Sequence, residues 1–288
     1  MKQITIISGK GGTGKTTVAA SFIKLAHNHV AVDCDVDAAN LHIILNPVIK
    51  EKNGFKGGAV AKLVGNCIKC GKCEQMCRFE AISNSETEII IDELRCEGCG
   101  VCEYVCPTEA LKLIPDMQGE YYISQTDFGP FIHARLNAGA ENSGKLVTRV
   151  RNAAEDIAYS ENKELIIIDG APGIGCAVIA SINGVDAALI VTEPTLSGMN
   201  DFFKVFEVAK YFQVKAYVCI NKYDVNMDNA KIIEKFCADN NIEIIGSIPY
   251  DERVPQSIAN KTFIVDDKDS IAGARITEMF KKLEKILY

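Results

Sequence analysis

The stretch Gly9-Lys10-Gly11-Gly12-Thr13-Gly14-Lys15-Thr16 decides the fold of this chain. It fits the phosphate-loop pattern G-x-x-x-x-G-K-[ST], in which backbone N–H groups surround phosphate oxygens. A β-branched run at residues 3–7 precedes the loop and predicts a strand, and apolar residues at helical spacing follow it and predict a helix. The sequence therefore predicts a phosphate site at the N-terminus of that helix.

The side chains of this loop have distinct expected roles. Lys15 is expected to reach the β- and γ-phosphates, and the Thr16 hydroxyl is expected to bind Mg²⁺. A glycine-rich turn with a chance lysine is the alternative, and the flanking strand and helix argue against it. The predicted nucleotide-binding residues of the loop are Gly9, Lys10, Gly11, Gly12, Thr13, Gly14, Lys15, Thr16 and Thr17.

Composition limits the class of protein. The 288 residues suffice for one large α/β domain or two domains, and 48% hydrophobic content can build a large core. The net charge of −7 argues against a nucleic-acid-binding protein, although a small basic patch stays compatible with it. No apolar run approaches the ~20 residues of a membrane span, and the first residues lead into a strand rather than an export signal. We expect a cytoplasmic protein for which membrane binding is unlikely.

The cysteines indicate a metal. Eight of the twelve fall between residues 67 and 106, and a chain without an export signal keeps its thiols reduced. Their spacing, C-x2-C-x2-C-x3-C followed by the same run and a proline, is typical of bacterial ferredoxins with two clusters, in which the fourth cysteine of each run binds the other cluster. The predicted ligands are Cys67, Cys70, Cys73 and Cys106 for one [4Fe–4S] cluster, and Cys77, Cys96, Cys99 and Cys102 for the other.

Two further observations bear on this assignment. Cys-x2-Cys pairs also suit zinc, but zinc needs four ligands and not a doubled run with an x3 tail. The segments 78–82 and 107–111 are alike, which indicates an internal repeat.

Residues 60–116 contain six basic and ten acidic residues, so a basic protein partner is expected for this segment.

The second lysine of the loop, Lys10, adds a resemblance to a known family. The run K-G-G-T-G-K-T-T at residues 10–17 resembles the deviant Walker A loop of the MinD/ParA group of ATPases. The resemblance implies that the chain binds and hydrolyses ATP. It also implies a homodimer that forms through the nucleotide, because in that group the extra lysine reaches the nucleotide held by the other subunit.

Two acidic segments extend the resemblance. The run at residues 33–37, which follows a predicted strand, resembles switch I, and Asp169-Gly-Ala-Pro-Gly173 resembles Walker B and switch II. By this resemblance Asp33 lies near Mg²⁺, Asp35 orients the attacking water, and Asp169 holds Mg²⁺ through water. The Gly173 amide would sense the γ-phosphate. The implied catalytic residues are Lys10, Lys15 and Asp35.

The base-binding segment leaves one alternative open. Asn221-Lys222-Tyr223-Asp224 matches N-K-x-D, the signature with which GTP-binding proteins recognise guanine, whereas in the MinD/ParA group the corresponding Asn contacts adenine. The deviant loop favours ATP over GTP. The predicted base-binding residues are Asn221, Lys222, Asp224 and Pro249, the last in a segment that resembles the loop flanking the base in that group.

The whole chain is thus interpreted as two modules. Residues 1–58 and 119–288 resemble a MinD-like P-loop NTPase, an α/β fold with a doubly wound and mostly parallel sheet. Residues 59–118 resemble an inserted small α+β ferredoxin domain of the bacterial type.

Three functions are compatible with ATP, Mg²⁺ and two [4Fe–4S] clusters in one chain. The first is a nucleotide-driven dimer that gates electron transfer to a redox partner protein. The second is ATP-dependent assembly or transfer of an iron–sulfur or metal cofactor to a client protein. The third is a MinD-like positioning factor in which the clusters sense redox state.

Overall fold

The computed structural model describes residues 1–85, 87–140 and 143–288, which form two compact units. The first unit comprises residues 1–53, 121–135 and 143–288, and the second comprises residues 54–85, 87–120 and 136–140. The boundaries expected from sequence lie at residues 58/59 and 118/119.

The strands are numbered along the chain. They are β1 (Lys2–Ser8), β2 (His29–Asp33), β3 (Val48–Leu63), β4 (Ile82–Asn84), β5 (Ile89–Ile91), β6 (Leu111–Thr126), β7 (Gly129–Leu136), β8 (Leu165–Pro172), β9 (Ala187–Thr192), β10 (Lys215–Asn221) and β11 (Glu243–Ile248). Within the described residues, nine of them form one sheet in the order β11-β10-β9-β1-β8-β2-β7-β6-β3. From β11 to β7 every neighbouring pair of strands is parallel.

The helices are also numbered along the chain. They are α1 (Lys15–Leu25), α2 (Leu41–Leu45), α3 (Lys72–Met76), α4 (Val101–Tyr104), α5 (Ser143–Ser160), α6 (Cys176–Ile182), α7 (Leu196–Tyr211), α8 (Met227–Asp239), α9 (Arg253–Ala259) and α10 (Ile271–Leu287), with short 3-10 turns at Tyr223–Val225 and Ile264–Asp266. The sequence predicted the start of α5 at Asn142, which lies outside the described residues.

The predicted α/β fold with a mostly parallel sheet is confirmed. The central strands β8 and β9 are buried over nearly their whole lengths, as continuous apolar runs require when both faces of a parallel sheet are covered. One consequence is that the carboxyl ends of β1, β2 and β8 lie at the same edge of the sheet, where ligands of such folds bind.

Strand β3 contains the polar, glycine-bearing segment 50–58, which the sequence indicates as the exit from the nucleotide-binding fold. In the structure this segment lies inside a strand of 16 residues. The first five residues of β3 are exposed, and β3 is the last strand in the order of the sheet. An edge strand with little burial carries no apolar alternation, so the hydrophobic pattern could not reveal it.

The second unit contains an internal repeat of 29 residues. Helices α3 and α4 each begin after a glycine in the left-handed region, Gly71 at φ 74° and Gly100 at φ 80°. Glu74 accepts a hydrogen bond from the Asn84 amide at 3.1 Å, and Glu103 accepts one from the Leu113 amide at 2.9 Å. The two cysteine motifs therefore share one local fold, as the sequence repeat predicts.

Two sequence patterns predict packing. The apolar residues at helical spacing near the C-terminus predict a helix face in the core, and in α10 Ile276, Phe280 and Leu283 are buried. His133 has no evident functional mate in the sequence, which favours a structural role; it is buried and its ring stacks on Phe131 at 4.7 Å between centroids. Among the described residues no helix combines the length and apolar character needed to cross a bilayer.

Candidate functional site

The phosphate loop connects β1 to α1 and depends on two close approaches of its backbone. Gly14 has φ +91°, and a Cβ there would overlap Nδ2 of Asn221, which donates to the Thr13 carbonyl at 2.7 Å. A Cβ on Gly9 would lie 2.5 Å from the backbone of Asp201. Any side chain at these positions would displace the loop, so close packing requires glycine at both, and the positive φ of Gly14 adds a conformational reason.

Lys15 pairs with Asp169 inside the protein. The distance from Lys15 Nζ to Asp169 Oδ1 is 2.5 Å, and their side chains are 6% and 0% exposed. Burial alone would lower the pKa of the Lys15 ammonium, but Asp169, with Asp33 and Asp35, holds that pKa above its ordinary value. Lys15 is therefore a fixed positive charge at the centre of the loop.

Asp33 and Asp35 lie where β2 ends. The Asp33 carboxylate accepts from the Asp35 amide at 3.0 Å and from the Leu41 amide at 3.2 Å, so it holds the segment that leads into α2. Burial and the nearby Asp169 raise the pKa of Asp33 to about 7, against the effect of Lys15. Burial also raises the pKa of Asp35. Three carboxylates thus surround one ammonium group.

A cavity of about 640 Å³ opens in front of these groups. Its lining includes Asp35, the loop residues 11–17 and part of the segment after β8. Asp169 Oδ2 is buried and has no hydrogen-bond partner among the described residues. Oxygen atoms are the ligands that Mg²⁺ prefers, so the Asp169 carboxylate and the Thr16 hydroxyl fit that ion. Within the described ranges, no three His, Cys, Asp or Glu residues already form a group that could hold one metal ion.

A second, more apolar cavity of about 240 Å³ adjoins the loop. It shares Gly12, Gly14 and Thr17 with the first cavity, and Asn221 and Pro249 contribute to its wall. The other wall residues are Val18, Lys222, Ile248, Tyr250, Asp251, Val254, Pro255, Ile258, Ala272 and Ile276. This cavity has the place and the lining expected for the base of a nucleotide.

Asp224, the last residue of N-K-x-D, does not line this cavity. Its Oδ1 accepts from the Tyr250 amide at 2.7 Å. The neighbouring Asp251 accepts from the Ser270 hydroxyl at 2.6 Å and from the Ala272 amide at 3.2 Å. Both carboxylates near the base cavity therefore bind the protein itself.

Lys10 points to its own chain in this structure. Its Nζ lies 2.7 Å from Glu193 Oε1, 3.0 Å from Ser197 Oγ and 3.4 Å from Thr195 Oγ1. The other oxygen of Glu193 lies 3.2 Å from Lys222 Nζ, which also donates to the Gly12 carbonyl at 3.3 Å. We call the three residues Lys10, Glu193 and Lys222 the Glu193 bridge.

The segment after β8 is held against the loop by one backbone bond. The Gly173 amide donates to the Ser8 carbonyl at 2.9 Å, and Gly173 has φ +92°. In this conformation the amide is already engaged, so contact with a γ-phosphate would require that bond to break. Cys176, three residues later, is exposed and lines the larger cavity.

The twelve cysteines are free thiols, and the eight of the second unit follow the repeat. Four of them accept backbone hydrogen bonds on sulfur: Cys67 from Lys69 at 3.2 Å, Cys77 from Ala81 at 3.4 Å, Cys96 from Ala61 at 3.4 Å and Cys106 from Ala110 at 3.3 Å. Cys73 and Cys102 are buried, and burial raises the pKa of each thiol. Such donors stabilise negative charge on sulfur.

One cavity of the second unit brings together cysteines that are distant in sequence. Cys67, Cys70, Cys73 and Cys106 all line one small cavity of about 10 Å³. These are the four residues that the spacing rule assigned to one cluster. In a cubane each thiolate binds a different iron, so the four ligands surround the group without meeting at one point.

Sequence reasoning located most of these residues but missed the Glu193 bridge and Asp201. Glu193 directly follows β9, and an acid after a buried strand is the signal that located Asp33 and Asp169. Nothing local in the sequence shows that Asp201, inside α7, packs against Gly9, because that contact depends on the arrangement of the tertiary structure.

Comparison with known proteins gives one family match. Residues 4–264 match the CbiA domain, described as the CobQ/CobB/MinD/ParA nucleotide binding domain. The match covers both the phosphate loop and the segment that contains the cysteines.

Individual relatives extend over the same length. An uncharacterized protein of Methanocaldococcus jannaschii is 37% identical over 288 residues, covering 99% of this chain and 97% of its own. An uncharacterized ATP-binding protein of the same organism is 24% identical over 285 residues, covering 97% and 86%. The solved structure of the septum site-determining protein MinD complexed with Mg-ADP from Pyrococcus horikoshii superposes with a TM-score of 0.60 at 18% identity, covering 99% and 96%. This likeness shows a shared fold.

Proposed function

Because this chain belongs to the CobQ/CobB/MinD/ParA family of nucleotide-binding proteins, we propose that it is a Mg²⁺-dependent ATPase whose nucleotide-driven dimer gates electron transfer. The electrons would pass through two [4Fe–4S] clusters to a protein partner. The observation that carries the nucleotide part is the buried Lys15–Asp169 pair with its unpartnered carboxylate oxygen. The observation that carries the redox part is the common cavity of Cys67, Cys70, Cys73 and Cys106.

The phosphate site supports hydrolysis. Lys15 offers a fixed positive charge to the β- and γ-phosphates, and Thr16 and Asp169 would hold Mg²⁺. Asp35 lies in the cavity wall and would orient the attacking water molecule. Its raised pKa favours acceptance of a proton from that water.

The base cavity supports adenine over guanine. A guanine-specific site needs a carboxylate that accepts from the base N1–H and its exocyclic amine, and a carboxylate can only accept. Asp224 lies outside the cavity wall and its Oδ1 binds the Tyr250 amide, while Asp251 binds Ser270 and Ala272. A guanine bound here would therefore leave its N1–H and exocyclic amine without an acceptor, and this cost disfavours GTP.

The cysteines fit two iron–sulfur clusters. The shared cavity, the N–H donors on sulfur and the repeat of the two motifs are all features that such clusters need. Clusters bound there would accept and donate single electrons. The chain itself supplies the thiolates and the backbone N–H groups that stabilise negative charge on sulfur. Cys70 and Cys99, one in each motif, are exposed, and a partner would approach the clusters there.

The order of elements along the chain supports coupling between the two activities. Asp33 binds the backbone at Leu41, where α2 begins, and β3 follows α2 directly. The first cysteine motif follows β3. In the proposed function, a change in the segment 33–40 on nucleotide binding would act on the polypeptide that carries the cysteines, as in other nucleotide switches.

We predict that the purified chain prefers ATP to GTP by about tenfold or more in both binding and hydrolysis. Titration of each nucleotide with Mg²⁺, followed by phosphate release, measures the preference. Chelation of Mg²⁺ with EDTA should abolish hydrolysis of both. GTP binding as tight as ATP binding would show that Asp224 or Asp251 turns toward the base, and would overturn the adenine assignment.

A further inference from the structure

Lys10 is the residue on which the proposed dimer depends, and in this structure its ammonium group is fully occupied within its own chain. Three oxygens surround Nζ, those of Glu193 at 2.7 Å, Ser197 at 3.0 Å and Thr195 at 3.4 Å. An ammonium group has three donors. A lysine held in this way is not available to a second subunit.

Glu193 is placed to hold two lysines at once. Its side chain is 12% exposed, and each of its oxygens faces a different ammonium group. Burial alone would raise the pKa of Glu193, but Lys10 and Lys222 hold that pKa below its ordinary value. The two lysines therefore keep the Glu193 carboxylate charged. Charge-assisted hydrogen bonds of this kind are stronger than those between neutral groups.

The second lysine connects Glu193 to the nucleotide site. Lys222 donates to the Gly12 carbonyl at 3.3 Å, and its neighbour Asn221 donates to the Thr13 carbonyl at 2.7 Å. Gly12 lines both nucleotide cavities. The phosphates of a nucleotide bound in the loop would bring negative charge close to Lys10 and Lys222. They would compete with the Glu193 carboxylate for these two ammonium groups.

From this geometry we infer that Glu193 is a positioning residue that keeps Lys10 in its own chain until a nucleoside triphosphate with its larger negative charge draws Lys10 away. The Glu193 bridge sets the threshold for dimer formation and the discrimination between ATP and ADP. The inference rests on the proposed nucleotide-driven dimer and assigns its control to a residue outside the phosphate loop.

Glu193→Gln keeps the shape of the side chain and removes its charge. We expect this variant to form dimers at an ATP concentration about tenfold lower than the unaltered chain, and to form them partly with ADP. Sedimentation velocity of the full chain with Mg-ATP or Mg-ADP measures the dimer fraction. Glu207→Gln is the matched control, because Glu207 lies in α7 and its side chain is 64% exposed.

A double variant separates this role from a general effect on folding. Lys10→Ala should abolish the ATP-dependent dimer, and Glu193→Gln combined with Lys10→Ala should behave like Lys10→Ala alone, because the carboxylate acts through that lysine. A monomer measurement adds a second test. Labelling of the Lys10 amine, quantified by mass spectrometry without nucleotide, should be faster in Glu193→Gln and unchanged in Glu207→Gln.

The outcomes distinguish the inference from the function on which it rests. If Lys10→Ala abolishes the dimer while Glu193→Gln leaves both the ATP threshold and the labelling rate unchanged, the inference is wrong and the proposed dimer stands. If Lys10→Ala forms dimers as the unaltered chain does, the proposed nucleotide-driven dimer itself is wrong.

Discussion

Replacing Lys15 with alanine is expected to lower the rate of ATP hydrolysis about 100-fold or more. The Lys15 ammonium lies 2.5 Å from Asp169 and its side chain is 6% exposed, so solvent cations cannot easily take its place. In a site with little water, a preorganised charge of this kind stabilises the transition state far more than it would in solution. Steady-state phosphate release at saturating Mg-ATP measures the effect.

Loss of Lys15 also leaves the carboxylates of Asp33 and Asp169 buried without their cation. Breaking a buried pair costs about 3–5 kcal/mol in the free energy of unfolding, so thermal unfolding must be measured beside activity. Asp169→Asn is a second variant for which the same loss of hydrolysis is expected. Lys24→Ala, on the same helix with a side chain 32% exposed, is the control and should keep full activity. A folded Lys15→Ala variant with activity within twofold of the control would contradict the assigned phosphate site.

Replacing Cys106 with serine is expected to remove the cluster held by the first motif. The cluster held by the second motif, to which Cys106 belongs in sequence, should remain. Cys106 is the fourth cysteine of the second motif but lines the cavity of Cys67, Cys70 and Cys73. We therefore expect iron to fall from about eight to about four atoms per chain, since each cluster contains four. The remaining cluster should give the same EPR spectrum in Cys106→Ser as in Cys67→Ser. Iron and sulfide analysis of anaerobically reconstituted protein measures the loss.

The reciprocal variants test the exchange of ligands. Cys77→Ser should give the spectrum of Cys96→Ser, because the repeat assigns Cys77 to the second cluster. Cys176→Ser is the control: this cysteine is exposed and lies outside the repeat, so iron content should not change. If Cys106→Ser instead matches Cys96→Ser, each motif binds its own cluster. Full iron content in all these variants would contradict the iron–sulfur proposal.

The sequence predicts most of the first unit because its signals are local. The phosphate loop, the buried runs in β8 and β9, and the acids Asp33 and Asp169 at the ends of the apolar runs of β2 and β8 are all patterns of neighbouring residues. A parallel sheet then brings these strand ends to one edge without further information. For this reason the sequence alone predicts that Lys15, Asp33, Asp35 and Asp169 lie close together.

What the sequence could not predict depends on partners distant in the chain. Asp224 belongs to a motif that suggests guanine, yet its carboxylate binds a backbone amide 26 residues away. Lys10 pairs with Glu193 across more than 180 residues, and no motif contains both. Each of these contacts depends on the tertiary structure, so no local sequence pattern reveals it.

In the proposed function, nucleotide binding acts on the redox centres. EPR spectra and midpoint potentials of the reduced clusters, recorded on anaerobically purified protein without nucleotide, with Mg-ADP and with a non-hydrolysable ATP analogue, test this directly. We expect the ATP analogue, unlike ADP, to shift the potential by about 60 mV or more, a tenfold change for a one-electron couple. The shift should disappear in Lys10→Ala and in Asp35→Ala. Identical spectra and potentials in all three states would contradict gating.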